Sequence, residues 1–377
     1  MGTMRARRLA LAIAAPVLAI AFAVLVTSVV LFAAGNNPID AFSTMLSQLG
    51  RPRIQVNTLN NATTYYLSAI AVAIGFKMNL FNIGVDGQYR LAALFAAFVG
   101  GKVDLPAPLH VALILVVAMV VGAMWAGVAA VLKNRRGVSE VISTIMLNYV
   151  ATGIIAYLLT EGRFGVLAEG SNNIGTPPIG PSGQVPGLSF LNNLPFLKDA
   201  TSAVYGMFVV AIAVGVGYWW MLNRTRFGFD LRASGLSTTA ATASGIDAKR
   251  MVLYVMLLSG AVAGLIGLPQ LLGESHAYNL DFPAGLGFTG IAIALLGRNS
   301  PIGIVFGALL WAFLDVSRQI LDLEGVSKEI VTIMQGIAVL SVVIAYEVVR
   351  RYGIRQQQRE VGRQLGTDEP VLAEAGA

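Results

Sequence analysis

The sequence predicts an all-α integral membrane protein of about ten transmembrane helices, some short or discontinuous, and three observations predict it. Of 377 residues, 56% are hydrophobic and only 12% charged, about half the usual charge of a soluble domain. Mean hydropathy is +0.70. The charges are bunched between long apolar runs rather than spread along them. In lipid every backbone N–H and C=O must be paired within the protein, so runs this long and continuous form helices.

Ten apolar segments carry the prediction: residues 9–34, 62–76, 86–101, 109–132, 138–160, 203–222, 251–272, 285–297, 301–321 and 328–348. The first follows Arg5, Arg7 and Arg8 and exceeds the roughly 7 to 15 apolar residues of a cleavable signal, so it reads as a retained span. With the N-terminus inside, most Lys and Arg fall on the cytoplasmic side, among them Lys133, Arg135, Arg136, Arg224, Arg226, Arg232, Lys249, Arg250, Arg350 and Arg351. Arg51 and Arg53 dissent. Segments 62–76, 86–101 and 285–297 are shorter than a full span, as expected of discontinuous helices whose ends lie inside the protein. Two of them end alike, in Gly75-Phe76-Lys77-Met78-Asn79 and Gly297-Arg298-Asn299, which points to an internal repeat of a four-helix unit. One transmembrane domain over 1–352 is therefore expected, with an external loop at 161–202, a long cytoplasmic loop at 223–250 and a cytoplasmic tail at 353–377 that begins helical and ends disordered. The external loop is rich in Gly, Pro and Asn, favouring turns over a packed domain.

Composition also excludes chemistry. The chain has no cysteine, which removes disulfides, thiolate metal sites and a cysteine nucleophile. His110 and His276 are too far apart in sequence to suggest a metal site and read as interfacial residues at helix ends. No Gly-x-x-x-x-Gly-Lys-Ser/Thr loop occurs, so ATP would have to be handled by a partner. No acid, base and nucleophile gather at membrane depth, and neither a cofactor nor catalysis is expected.

Three stretches interrupt the apolar pattern. Gly75 to Gln88 reads GFKMNLFNIGVDGQ, in which Lys77, Asn79, Asn82, Asp86 and Gln88 are polar. If helical geometry persisted, Asn79, Asn82 and Asp86 would share one face lining a path; the alternative is a cytoplasmic turn. In segment 138–160, Glu140, Thr144, Asn148 and Thr152 recur every four residues as one polar stripe, with Asn148 near the midplane. Asn148 either lines the path or bonds between helices, and Glu140 is expected to pair with Arg135 or Arg136. The loop 223–250 carries small helix-compatible residues from Ser237 to Ser244 between Gly235 and Gly245. Such a helix has little to bury by itself and reads as a docking element for another protein.

Together these stretches resemble the permease subunit of an ATP-binding cassette (ABC) importer, in the branch holding simple-sugar, nucleoside and branched-chain amino acid permeases. The resemblance covers about residues 60 to 348. Its most specific pieces are Phe81 to Gln88 (FNIGVDGQ), Glu140 to Tyr149 (EVISTIMLNY) and Gly287 to Gly297 (GFTGIAIALLG). It implies a coupling helix that seats in an ATPase groove, with Thr239, Ala240, Ala241 and Gly245 on the family's Glu-Ala-Ala-x-x-x-Gly pattern and Thr in place of Glu. It further implies an ABC ATPase subunit, a second permease subunit, an extracellular substrate-binding protein or lipoprotein, surrounding membrane lipid, no nucleic acid, and a multi-pass place in the bacterial inner membrane with both termini cytoplasmic. The FNIG and EVISTIMLNY strings favour a nucleoside as substrate, with a simple sugar second. Asn79, Asn82, Asp86, Gln88, Asn148 and Phe288 are the expected substrate path. A rival from another class is a secondary transporter using Asp86 in a coupling-ion site.

Overall fold

The computed structural model describes residues 2–167, 173–194, 197–198 and 200–364. Each of the ten apolar segments forms a helix or, for 251–272, a broken one. The chain runs through α1 (Gly2–Ala33), α2 (Pro38–Gln48), α3 (Pro52–Phe76), α4 (Val85–Lys102), α5 (Ala107–Arg136) and α6 (Glu140–Leu158). A two-residue antiparallel hairpin follows, β1 (Val166–Leu167) with β2 (Ile174–Gly175). Then come α7 (Met207–Arg224), α8 (Arg226–Leu236), α9 (Thr238–Ala243), α10 (Ala248–Gly264), α11 (Leu268–Gln270), a π turn over Leu271–Ser275, α12 (Leu286–Leu296), α13 (Pro301–Leu323) and α14 (Lys328–Gln364). The final residues, 365–377, where the disordered end of the tail was expected, lie outside the described residues.

Among the described residues six helices are long and apolar enough to cross a membrane, and α1 with α2 makes a seventh if that pair, bent by 120°, is one span. A multi-pass all-α membrane protein follows. The segment expected at 62–76 is longer than its apolar part. α3 begins ten residues earlier at Pro52 and takes in Asn57, Asn60 and Asn61. Asn60 shows why the polar start is tolerated: its Nδ2 donates to the Ala203 carbonyl and its Oδ1 accepts from the Tyr205 N–H. Those bonds tie the helix to the chain entering α7.

The chain divides into two compact units. In one, residues 1–45 and 318–377, α1 packs on α14, and Arg318 donates to Thr332 while Lys328 pairs with Asp322. The larger unit, Leu46–Ser317, holds a continuous core drawn from α3, α4, α5, α10 and α12. Its tightest contact is α5 against α10, where the backbones approach without side chains between them. A Cβ added at Gly264 would lie 2.0 Å from the Ala118 carbonyl oxygen, and one at Gly122 would lie 2.2 Å from that of Gly260. Between transmembrane helices there is no apolar transfer gain, so such small-residue contacts supply the attraction through close packing.

Beyond α6 the hairpin region lies down on the ends of the helices rather than forming a domain. Its backbone is stitched to the turn after α11, with Thr176 N–H donating to Tyr278 O and Ile179 N–H to His276 O. His110 is the buried pin of this end. One ring nitrogen meets the Ser182 hydroxyl and the other the Gly100 carbonyl, each at 2.9 Å. His276 instead takes a left-handed backbone after the π turn. Nearby, Tyr205 donates its hydroxyl to Glu274.

Candidate functional site

Two short helices meet head to head inside the larger unit. α4 runs from Val85 toward the hairpin end, where Gly101 lies against the Pro177 carbonyl. α12 runs the other way, to the Asn299 carbonyl that accepts from the Tyr218 hydroxyl in the last turns of α7. Their first turns touch. A Cβ at Gly287 would lie 2.4 Å from the Asp86 nitrogen, so the junction exists only because that residue has none.

A helix N-terminus leaves its first N–H groups unpaired and carries partial positive charge. Here the Asp86 carboxylate answers both needs of α12: Oδ1 accepts from the Gly285 N–H at 2.8 Å and from the Gly287 N–H at 3.4 Å. Hydrogen bonds to a charged group contribute about 1.5–3 kcal/mol each. The same contact is reinforced by Tyr89, whose hydroxyl donates to Pro283 O, and by Ser68, whose hydroxyl donates to Leu286 O.

The break between α3 and α4 is not helical, so Asn79, Asn82 and Asp86 do not share a face. α3 stops at Phe76 and Asn79 takes a left-handed φ of 54°. Asn79 is exposed and its Nδ2 donates to the Gly235 carbonyl near the end of α8. Asn82 and Gln88 are buried and bonded to each other twice, Nδ2 to Oε1 and Nε2 to Oδ1, and Asn82 also donates to the Ser259 hydroxyl of α10. The second break, after α12, closes with the same kind of turn bond as the first but has two left-handed residues where the first has one. Leu80 N–H returns to Gly75 O and Asn299 N–H to Ala294 O, with Arg298 and Asn299 left-handed.

The polar stripe of α6 faces the break between α3 and α4. Thr144 bonds its own helix at Glu140 O. Asn148 accepts from the Gly87 N–H at 2.9 Å and donates to Ile83 O at 3.0 Å, gripping both sides of the α4 start. Of the two readings for Asn148, these are the bonds of the interhelical one. Glu140 pairs with Lys133 rather than with Arg135 or Arg136, because Lys133 sits one turn before the α5 end and faces back toward α6, while Gly137 reverses the chain.

Arg90 is the residue that sequence reasoning passed over. It lies one turn beyond Asp86 and donates to the Thr152 hydroxyl at 3.2 Å. Thr152 stands twelve residues into α6, about 18 Å along its axis at 1.5 Å per residue, within a hydrocarbon core of about 30 Å. A cation at that depth avoids lipid and faces protein or water. Its signal in the sequence was a single Arg four residues after Asp86 in an apolar run. Exposed rings occur on the elements that meet here: Tyr149 of α6 is 72% exposed, Phe288 of α12 52% and Phe81 of the α3–α4 break 48%. Tyr149 and Thr152, three apart, share a face of α6.

The loop end is built from α8 and α9. Ser237 caps α9 by accepting from the Ala240 N–H, and Gly245 closes it with φ 88°. Thr239 and Ala240 are exposed, Ala241 is buried, and a Cβ at Gly245 would meet nothing. Among the described residues no group of His, Asp or Glu could hold a metal ion.

Short helices that meet end to end inside a multi-pass membrane protein are a construction found in transport proteins, and comparison with known proteins gives the family. Residues 54–343 match the model described as branched-chain amino acid transport system / permease component. The chain belongs to that family. A glucose ABC transporter permease of Haloferax volcanii is 33% identical over 380 aligned residues, covering 97% of this chain and 95% of the relative. A guanosine ABC transporter permease of Bacillus subtilis is 33% identical over 339 residues, covering 88% and 93%. A nucleoside ABC transporter permease of Lactococcus lactis is 31% identical over 341 residues, covering 88% and 90%. No solved structure matches the chain significantly.

Proposed function

We propose that this chain is the permease subunit of an ABC importer for nucleosides. The observation that carries the reading is its similarity, across most of both chains, to a guanosine and a nucleoside ABC permease. The site is compatible in kind. Tyr149, Phe81 and Phe288 offer rings on which a base can stack, and the Arg90–Thr152 pair offers donors to a base edge or ribose at a depth lipid does not tolerate. Asn82, Gln88, Asp86 and Asn148 hold the two half-helices at this path. The permease domain is residues 1–352 and the cytoplasmic tail 353–377.

In this reading the chain sits in the bacterial inner membrane with both termini in the cytoplasm. It pairs with a second permease, takes substrate from an external binding protein or lipoprotein, and docks an ATPase through Thr239, Ala240, Ala241 and Gly245. ATP binding and hydrolysis in that partner shift the permease between outward and inward states. A simple sugar is the second reading, favoured by the glucose permease that aligns over 97% of the chain. The secondary-transporter reading is weaker, because the Asp86 oxygen it needs for an ion already receives two backbone N–H groups.

Radiolabelled uptake by cells expressing the complete transporter tests the substrate, with guanosine, adenosine, uridine, ribose, glucose and leucine as competitors at equal concentration. Competition by the nucleosides alone is expected. Competition by glucose or leucine with none from any nucleoside overturns the substrate while leaving the importer. Gly245→Trp, placing a large side chain where the backbone is left-handed, is expected to lose the ATPase on purification while still inserting; retention with full uptake removes the docking assignment.

A further inference from the structure

We propose that Asn79 and Gly235 are the link that passes movement of the α8–α9 loop to the break between α3 and α4, and so to the junction at Asp86. The inference rests on the reading that this loop docks the ATPase. Three observations at the contact carry it.

The first is the bond itself. Asn79 Nδ2 donates to Gly235 O at 2.7 Å, across 156 residues of sequence. The end of α3 does not require it. Its last carbonyls are already taken by the backbone, with Lys77 N–H on Ala73 O and both Met78 and Leu80 N–H on Gly75 O. The amide is therefore surplus to helix termination and serves only to hold α8. Asn79 also accepts a left-handed backbone to present it, a conformation that costs most side chains about 1 kcal/mol and that Asn tolerates better than others.

The second is the steric fit. A Cβ at Gly235 would lie 2.2 Å from the Lys77 carbonyl oxygen and 3.1 Å from the Met78 Cα. The two backbones touch, so displacement of one is displacement of the other, without a compliant side chain between them.

The third is what each side is attached to. Ser237 caps α9 while its own N–H returns to Ala233 O of α8, so the docking helix begins three residues after the contact, at Thr238, and shares its rigid end. On the other side, residues 80–84 run directly to Asn82, fixed to Gln88 and Ser259, and to Ile83 and Gly87, gripped by Asn148. Lys77 belongs to the same contact: burial first, then the charges of Arg232 on α8 and Arg298 after α12, hold its ammonium below the ordinary value. Three chain segments therefore converge under the break.

The test uses the complete transporter, with its ATPase and second permease, in proteoliposomes, measuring substrate imported and ATP hydrolysed. Asn79→Gly keeps the left-handed backbone and removes the amide; Asn79→Asp keeps the size and replaces the donor by an acceptor. Loss of one hydrogen bond in the transmitting state predicts import lowered by about tenfold, with the ATPase still bound and its hydrolysis little changed, so that ATP spent per molecule imported rises. Gly235→Ala is expected to raise the same ratio. An unaltered ratio in Asn79→Gly overturns the link. So does loss of the ATPase from either Asn79 variant, which makes the contact one of assembly. Failure of the wild type to retain an ATPase, or its full retention by Gly245→Trp, strikes the docking reading instead and is seen in separate preparations.

Discussion

Gly285 donates its N–H to Asp86 Oδ1 at 2.8 Å, a bond that ties together the N-termini of two helices across 199 residues of sequence. The junction is polar and partly buried; the Tyr89 and Ser68 hydroxyls reinforce it, and its central acceptor is the Asp86 side chain.

Replacing that side chain separates its two contributions. Asp86→Asn retains an acceptor for Gly285 and Gly287 but removes the charge opposite the α12 N-terminus, and is expected to cost about 1 kcal/mol. Asp86→Ala leaves both N–H groups without a partner and is expected to cost about 3 kcal/mol or more. Thermal unfolding in detergent, followed by tryptophan fluorescence, should order the proteins wild type, Asn, Ala; an alanine variant as stable as wild type would remove the capping role.

Asn148→Leu deprives Gly87 N–H and Ile83 O of their partners at once. If Asn148 only positions α4, its loss lowers the maximal uptake rate and the melting temperature while leaving the KM for substrate within about twofold. A KM raised by about tenfold with unchanged stability would mean that the amide touches substrate, since a lost hydrogen bond to ligand is worth about that factor.

The α5–α10 contact is expected to reject the smallest enlargement. Gly264→Ala sets a methyl 2.0 Å from the Ala118 carbonyl oxygen, and backbone cannot yield as a side chain does, so a loss of about 1–3 kcal/mol is predicted. Gly153→Ala, on the exposed face of α6 where a Cβ meets nothing, should be silent or slightly stabilising in the same assay.

Burial, and then the bond to Glu274, raise the Tyr205 phenol above its ordinary value of 10.0. A phenol held protonated in the folded state contributes stability that is fully present below that value and is lost as pH rises toward the folded one. The melting-temperature difference between wild type and Tyr205→Phe is therefore expected to be flat from about pH 7 to 9 and to shrink above about pH 10. A difference independent of pH through that range would show that the phenol does not titrate with unfolding.

How much of this was legible in the sequence depends on which force decides each element. The lipid-facing helices were, because the requirement to satisfy backbone in hydrocarbon writes itself as length and apolarity, and all ten segments fall on helices. Asn82 and Gln88 were visible as polar residues inside apolar sequence, but not that they satisfy each other. Pairing is a tertiary fact with no period. The face proposed for Asn79, Asn82 and Asp86 failed because Gly75 and the left-handed Asn79 end the helix, and a 3.6-residue count has no meaning across such a break. Arg90 was hidden by its setting, one charge within an otherwise apolar run. The start of α3 was hidden by asparagines whose partners lie at Ala203 and Tyr205.

The brevity of α12 bears on how the protein is made. Eleven residues rise only about 16 Å, too little to be taken into a bilayer as an independent span. Its leading amides are met by a carboxylate that the ribosome delivered some two hundred residues earlier. α12 therefore cannot insert first and pack later. It must be admitted into a pocket that its predecessors have already shaped, which makes the biogenesis of this region sequential. A lesion at Asp86 would then lower yield before it lowered turnover.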